Sequence, residues 1–406
     1  MVAVVPAAMG FWLVAGSLAG VATSHVDELV VASLLAMGIA TLLQVMFGFR
    51  LPMYEGPASA YLAALAVVTA GGHHTLGEIT GGLLAAGVLV GLLGVLGADR
   101  LIAKAFTPLV ANVFLLTVTL TVLPPTLERA VGATHSLPGS GPAWAATATV
   151  VVVTIALRRA VRLVPYSLFG ALIAGTAVYF ALAGEPNLVV RGGFAVPALL
   201  PWGQPRASVG VVVPFLIAGA LAAFNIVASG RVVALAHELP IGRGAQRRAF
   251  LLHGAVQIGG ATVGGLVGTV SRLDSVGIAR LLDHRGRAPL VLAGGIVAGL
   301  AFVRPFVDLA AALPLSVSAA MLAMLMWLIL SHAVSGIRGE PRASQLLVVL
   351  PSMVPAIVWV AIGSSLAPTA QLVGNPMVWG VLLAAGLERI VGVPIAPDGS
   401  SGRATA

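Results

Sequence analysis

Three carboxylates stand where apolar runs are interrupted: Glu55 just ahead of Gly56-Pro57, Asp274 inside Ser271-Arg272-Leu273-Asp274-Ser275-Val276-Gly277, and Asp283 beyond the end of that stretch. A carboxyl group among apolar residues can accept N–H groups from a neutral ligand and exchange a proton, because desolvation disfavours its charged form. Glu55 and Asp274 are therefore candidates for a proton-coupling acid. Each has a plainer alternative: Asp274 as the ion-pair partner of Arg272 or Arg280 at an outer mouth, and Glu55 as an interface carboxylate beside Arg50. Ser275 and Gly277 complete the second stretch, where a glycine permits close backbone approach to a ligand. Asn225 and Ser229 are four residues apart and share a face of a helix. They either line one wall of a polar site or hydrogen-bond a neighbouring helix. His253 lies inside an apolar run, as a satisfied interior histidine or as a proton carrier.

Other chemistries lack their residues. None of the eight histidines, His73-His74 included, has helix-face metal spacing with a carboxylate nearby, so no metal site is expected. There is no cysteine, which removes disulfides and thiolate catalysis. No phosphate-binding loop, dinucleotide fingerprint or paired catalytic acids occur, so neither an enzyme nor a cofactor is expected.

The elements that must position these groups are membrane helices. Of 406 residues, 59% are hydrophobic and 9% charged, far from the balance of a water-soluble domain. At roughly 20 apolar residues per span, the chain holds at most about 14 to 16 spans and no sizeable soluble domain. Apolar runs fall near 7–22, 30–48, 57–71, 79–97, 106–123, 143–158, 167–183, 208–230, 247–268, 275–283, 288–304, 310–331, 343–362 and 375–392. That is an all-α polytopic membrane protein of fourteen segments, in which the third and tenth are poor full-length helices. Interrupted segments at matching places in two halves point to an inverted-repeat transporter whose site lies where they meet. The halves are 1–184 and 185–392, followed by a small polar tail, 393–406. A short echo supports them: Thr107-Pro108 opens the fifth segment and Leu313-Pro314 the twelfth.

The net charge of +8 is topogenic. With the N-terminus inside, Arg50, Arg100, Lys104, Arg158, Arg159, Arg247, Arg248, Arg338 and Arg342 are among the cytoplasmic cations, while few basic residues fall on the other side. The positive-inside rule then puts both termini in the cytoplasm and the chain in the plasma (inner) membrane, and leaves no footprint for nucleic acid. The external loops are expected at 124–142 and 184–207. Gly259-Gly260 and Gly264-Gly265 read as close helix packing.

Met37-Gly38-Ile39-Ala40-Thr41-Leu42-Leu43-Gln44, Arg50-Leu51-Pro52 and Gly56-Pro57-Ala58-Ser59-Ala60-Tyr61 resemble the second and third segments of the nucleobase/ascorbate transporter family, the xanthine and uracil permeases. The resemblance recurs at Asn225-Ile226-Val227-Ala228-Ser229, Gly264 to Thr269, Arg285-Gly286-Arg287-Ala288-Pro289 and Asn375-Pro376-Met377-Val378-Trp379-Gly380. It implies two inverted seven-segment repeats, with a core domain (about 1–104 and 208–306) and a gate domain (about 105–207 and 307–392). Short strands in the third and tenth segments would cross at the substrate site. It also implies a secondary-active permease for a nucleobase such as uracil or xanthine, coupled to protons or to sodium, in the lipid bilayer; whether copies pair as a homodimer is left open. Ser59, Ala60 and Tyr61 fall where the family's strand offers backbone groups to the substrate.

The departures from the family pattern bear on mechanism. The eighth-segment glutamate falls on Phe224 and the histidine four residues on falls on Ala228. The tenth-segment glutamate falls on Gly277 without a gap, or on Asp274 with one. Phe224 could stack on a planar ring, or simply pack, and Asn225 could read a base edge. An alternative ligand on the same architecture is an anion, as in the sulfate carriers.

Overall fold

The computed structural model describes residues 4–70, 74–98, 107–133, 139–184, 189–242, 244–272, 286–362 and 376–391. Helix α1 (Val4–Ala19) and α2 (Val26–Met46) lead into strand β1 (Glu55–Pro57), which is followed by α3 (Ser59–Ala70) and α4 (Leu76–Leu96). Next come α5 (Pro108–Ala130), α6 (Gly141–Arg159) and α7 (Ser167–Ala183). The second half brings α8 (Val209–Ala236), α9 (Ala245–Thr262), β2 (Thr269–Ser271), α10 (Ala288–Leu300), α11 (Arg304–Ala311), α12 (Leu315–Arg338), α13 (Leu350–Ile362) and α14 (Pro376–Val391). Among the described residues seven helices are long and apolar enough to cross a membrane, and four shorter apolar helices accompany them.

Helix starts follow local chemistry. Thr75 caps α4 in a reciprocal box: its hydroxyl accepts from Glu78 N at 3.2 Å while its own N–H donates to Glu78 Oε2 at 2.7 Å. Thr107 and Ser140 cap α5 and α6 one way only, their hydroxyls accepting from Val110 N and Ala143 N, each with proline in the first turn, where no donor is lost. Two expected ends are overrun. Helix α5 continues to Ala130 through Pro124 and Pro125, taking part of the expected 124–142 loop into the helix. The two prolines delete two helix donors, a loss tolerated because α12, α13 and α14 pack along α5 and hold it. Helix α8 likewise runs to Ala236 rather than 230.

Helix α4 packs against α8 and α9, α9 against α2, and α2 against α10. On the other side α5 packs against α12, α13 and α14, and α6 against α7. Between the two groups, α1 touches α2 and α12, and α3 touches α8 and α5. Helices α4 and α9 approach backbone on backbone: a Cβ built on Gly254 of α9 would stand 2.7 Å from Gly91 N and 2.8 Å from the Gly87 carbonyl oxygen of α4. The expected packing glycines divide: a Cβ on Gly260 would stand 3.3 Å from Ala36 Cβ of α2, a close helix contact. Gly259 meets nothing within 4 Å, and Gly264 lies past the end of α9 with φ +99°, so it shapes the turn into β2 rather than a helix contact.

A charge network ties the 189–206 connection to two helix starts. Asp308 on α11 accepts from Arg191 N at 2.8 Å and from Arg191 Nη2 at 2.7 Å, and lies 2.9 Å from Arg304 Nε. Asp27 accepts from Arg304 Nη2 at 2.6 Å and Arg191 Nη2 at 3.2 Å. Asp308 is the buried member, and both guanidinium groups keep Asp27 when it is removed, so Asp308→Ala loses its charge-assisted hydrogen bonds without stranding a cation and should cost about 1 to 2 kcal/mol. Limited proteolysis should cut the 189–206 connection faster in that variant; an unchanged digestion rate and thermal midpoint would show the network to be idle.

Candidate functional site

The chain cannot continue as a helix through Pro52, Gly56 and Pro57, and the backbone groups this frees must be paired inside the protein. They pair with the second interruption. Strands β1 and β2 run antiparallel, with Glu55 opposite Ser271, Gly56 opposite Val270 and Pro57 opposite Thr269, and all six residues are buried. The ladder extends at both ends, through Ala58 N to Gly268 O at 2.8 Å and Arg272 N to Tyr54 O at 3.0 Å.

The side chains across this ladder form one buried network. Ser271 Oγ donates to Glu55 Oε1 at 2.7 Å, and His253 Nε2 of α9 lies 3.3 Å from Glu55 Oε2 and 3.2 Å from Ser271 Oγ. Glu55 is fully buried and His253 nearly so. Glu55 N donates to Thr41 Oγ1 of α2 at 3.1 Å, whose own hydroxyl donates to Met37 O. From α8, Ser229 Oγ lies 2.9 Å from Ser271 O and 2.7 Å from the Asn225 side-chain amide. A hydroxyl carries one hydrogen. The set closes when Ser229 donates to the Ser271 carbonyl and the Asn225 amide presents its NH2 to Ser229.

This placement answers several expectations. Asn225 and Ser229 do share one helix face, and Ser229 reaches β2 while bonding Asn225. Glu55 is not an interface carboxylate beside Arg50: Arg50 is exposed, and the partners of Glu55 come from 198 and 216 positions further along the chain. Ser59, Ala60 and Tyr61 are not in a strand. Pro57 ends β1, and these three residues form the first turn of α3, so the strand lies four residues earlier than expected. Tyr61 stacks on Phe215 of α8, with ring centroids 6.4 Å apart and planes 28° from parallel. Phe224 is buried on α8, one residue before Asn225. Asp274, Ser275 and Gly277 lie outside the described residues.

A cavity of about 790 Å³ opens at the other end of α3. Ser17, Thr69, Thr121, Arg129, Tyr179 and Ser316 are among its lining residues, drawn from α1, α3, α5, α7 and α12. Arg129 bridges two of these helices, donating to Ser17 Oγ and to Pro125 O, each at 2.9 Å. None of the expected site residues lines this cavity. From Tyr61 to Ala66, which does, is about 8 Å along α3 at the helical rise. Sequence reasoning missed this wall because Glu128 and Arg129 were read as part of an external loop; the charged pair about one helical turn after Pro124-Pro125 was the available signal.

A family model described as the permease family, that of xanthine and uracil permeases, matches residues 1–361. The chain belongs to the xanthine/uracil permease family. This permease is 26% identical over 310 residues to YwdJ of Bacillus subtilis (strain 168), a protein provisionally named as a purine permease, across 71% of this chain and 70% of that one. Among solved structures it is similar to the transmembrane domain of the cyanobacterial bicarbonate transporter BicA, with a TM-score of 0.65 and 14% identity over 92% of this chain and 95% of that one. The murine anion transporter Slc26a9 in its inward-facing state gives a TM-score of 0.64 and 14% identity, over 97% of this chain and 66% of that one. At such identity the likeness is one of fold. The permease is thus an integral, multi-pass membrane protein with a transporter fold, in which the carboxylate and hydroxyl of a buried strand pair meet an imidazole from α9 and a hydroxyl from α8.

Proposed function

We propose that this permease is a secondary-active carrier of a nucleobase, with a proton as the coupling ion. The observation that carries the reading is the β1/β2 pair, which brings Asn225 and Ser229 to the strand ladder. Donors and acceptors held at fixed positions in a dry interior suit a small planar heterocycle, whose edge presents both. Asn225, Ser229, Phe224 and the first turn of α3 (Ser59, Ala60, Tyr61) are the described part of the site; Asp274, Ser275 and Gly277 complete it. Fourteen segments form two inverted repeats, 1–184 and 185–392, with both termini in the cytoplasm of a plasma-membrane protein. The gate, about 105–207 and 307–392, moves against the core, about 1–104 and 208–306. The cavity beside Arg129, lined from both, is the route by which solute approaches. The family membership and the purine permease relative support this ligand class.

Uptake into proteoliposomes tests it. Radiolabelled xanthine, uracil or hypoxanthine should accumulate under an inward proton gradient. Asn225→Ala should raise the half-saturating concentration about tenfold, as expected for one or two lost hydrogen bonds to a neutral ligand. A normal affinity in that variant would remove Asn225 from the site. The second reading is an anion carrier, favoured by the fold shared with a bicarbonate and an anion transporter. Uptake of sulfate or bicarbonate with none of the bases would replace the first reading with the second.

A further inference from the structure

We propose that Glu55, Ser271 and His253 form a single proton-binding unit that links proton uptake to the joining of the two strands. The proposal rests on the reading of the chain as a proton-coupled carrier and names the groups that would hold the proton. Three independent pieces of geometry converge on it. Glu55 and Ser271 are direct partners in the strand register, so their 2.7 Å hydrogen bond clamps β1 to β2 through side chains as well as backbone. His253 reaches the same two residues from a third element, α9. The Ser271 carbonyl, on the other side of the same residue, takes the Ser229 hydroxyl, and Ser229 bonds Asn225.

The hydrogens can be counted. The one hydrogen of the Ser271 hydroxyl goes to Glu55 Oε1, so Nε2 of His253 meets Ser271 Oγ and Glu55 Oε2 favourably only as an N–H donor. With a neutral imidazole the unit carries one negative charge. One added proton makes it neutral, either as a carboxylate beside an imidazolium or, after transfer across the pair, as a carboxylic acid beside an imidazole. An unpaired charge in a dry interior costs several kcal/mol, whereas a neutral pair costs much less. Movement of the strand pair within the apolar bundle is therefore easier with the proton on. A base bound at Asn225 acts on the same residue, Ser271, through Ser229. Proton and solute thus meet at opposite sides of one strand residue.

Among the described residues, the charges on the helices packed against Glu55 lie away from it. Helix α1 has no titratable side chain, and the acids of α2, Asp27 and Glu28, lie at its far end from Thr41. On α8 the charged residue is Arg231, which is exposed. On α9 Arg247 and Arg248 sit at the N-terminal end, with Arg248 bonded to Phe47 O. Tyr54 precedes Glu55, and Arg272 follows Ser271 with its side-chain carbons against Gly56, 3.2 Å from where a Cβ would stand.

Two measurements on the purified full chain test the unit. Infrared difference spectra between acidic and alkaline buffer need no transported solute. They should contain a band of the Glu55 carboxyl group, a C=O stretch in the acid form or a carboxylate stretch beside an imidazolium, that is lost in Glu55→Gln and shifted in Ser271→Ala, which removes the hydrogen bond to Oε1. If Glu55→Gln does not fold, the shift in Ser271→Ala and a second one in His253→Gln carry the assignment. Spectra of the folded variants that keep every wild-type carboxyl band unshifted overturn the proposal. In proteoliposomes, with labelled xanthine and uracil as probes, the ratio of uptake with and without an inward proton gradient should fall to unity in Glu55→Gln. A ratio equal to that of the wild type also overturns the proposal. A wild type that moves neither base, with the Glu55 band present, would sink the nucleobase reading and support the proton unit on its own.

Discussion

Leucine in place of His253 is expected to destabilise the permease by about 3 to 5 kcal/mol, the usual cost of removing one partner from a buried charged or hydrogen-bonded pair. The size follows from burial: the side chains of Glu55 and His253 are 0% and 2% exposed, so water cannot replace the lost imidazole N–H. Ser271 alone would then face the carboxyl group. The informative comparison is the double variant Glu55→Met with His253→Leu. Apolar side chains of similar volume leave neither a buried charge nor a large cavity, and such replacements are often neutral or stabilising. The double variant should recover most of the loss, short by about 1 kcal/mol for the stranded Ser271 hydroxyl. Thermal unfolding in detergent, followed by tryptophan fluorescence, reads the wild type, the single variants Glu55→Met and His253→Leu, and the double variant. If the two single effects simply add in the double variant, Glu55 and His253 are not coupled and the buried pair has no energetic meaning.

The second large effect sits on α9 one residue further on. Gly254→Ala should destabilise by about 1 to 3 kcal/mol or prevent accumulation in the membrane, because the new methyl meets the backbone of Gly91 and Gly87 and no rotamer can relieve it. Separating α4 from α9 would also shift His253 away from Glu55. Gly259→Ala provides the contrast. It lies in the same helix with nothing within 4 Å, so it should stabilise by about 0.5 to 1 kcal/mol through the helical preference of alanine over glycine. Equal behaviour of the two variants would show that the α4/α9 contact is looser than its geometry states.

Much of the scaffold was legible from local signals. A hydroxyl followed by proline marks the starts of α5 and α6 at Thr107-Pro108 and Ser140-Gly141-Pro142, since the cap and the missing donor act within one turn. Gly56-Pro57 announced an interruption for the same local reason. Helix ends were less legible. Pro124-Pro125 would stop a helix in water, and α5 runs through them because other helices surround it. Tyr61 shows the same limit within the site. The family pattern put residues 59–61 in a strand, whereas the order of Pro57 and the Ala58 bond to Gly268 starts a helix there instead.

By itself the sequence determined that the chain lives in a membrane, that its apolar runs are interrupted near Glu55 and near Asp274, and that few charges remain for a site. Each of these follows from composition or from short-range sterics. Only the tertiary structure decided which polar groups meet. Glu55 had Arg50 five residues away and took His253 and Ser271 instead, because β1 turns inward to pair with β2 while Arg50 stays at the exposed end of α2. A buried carboxylate chooses partners among the groups the packed helices carry to the same depth, and depth is a property of the assembled bundle rather than of neighbours along the chain.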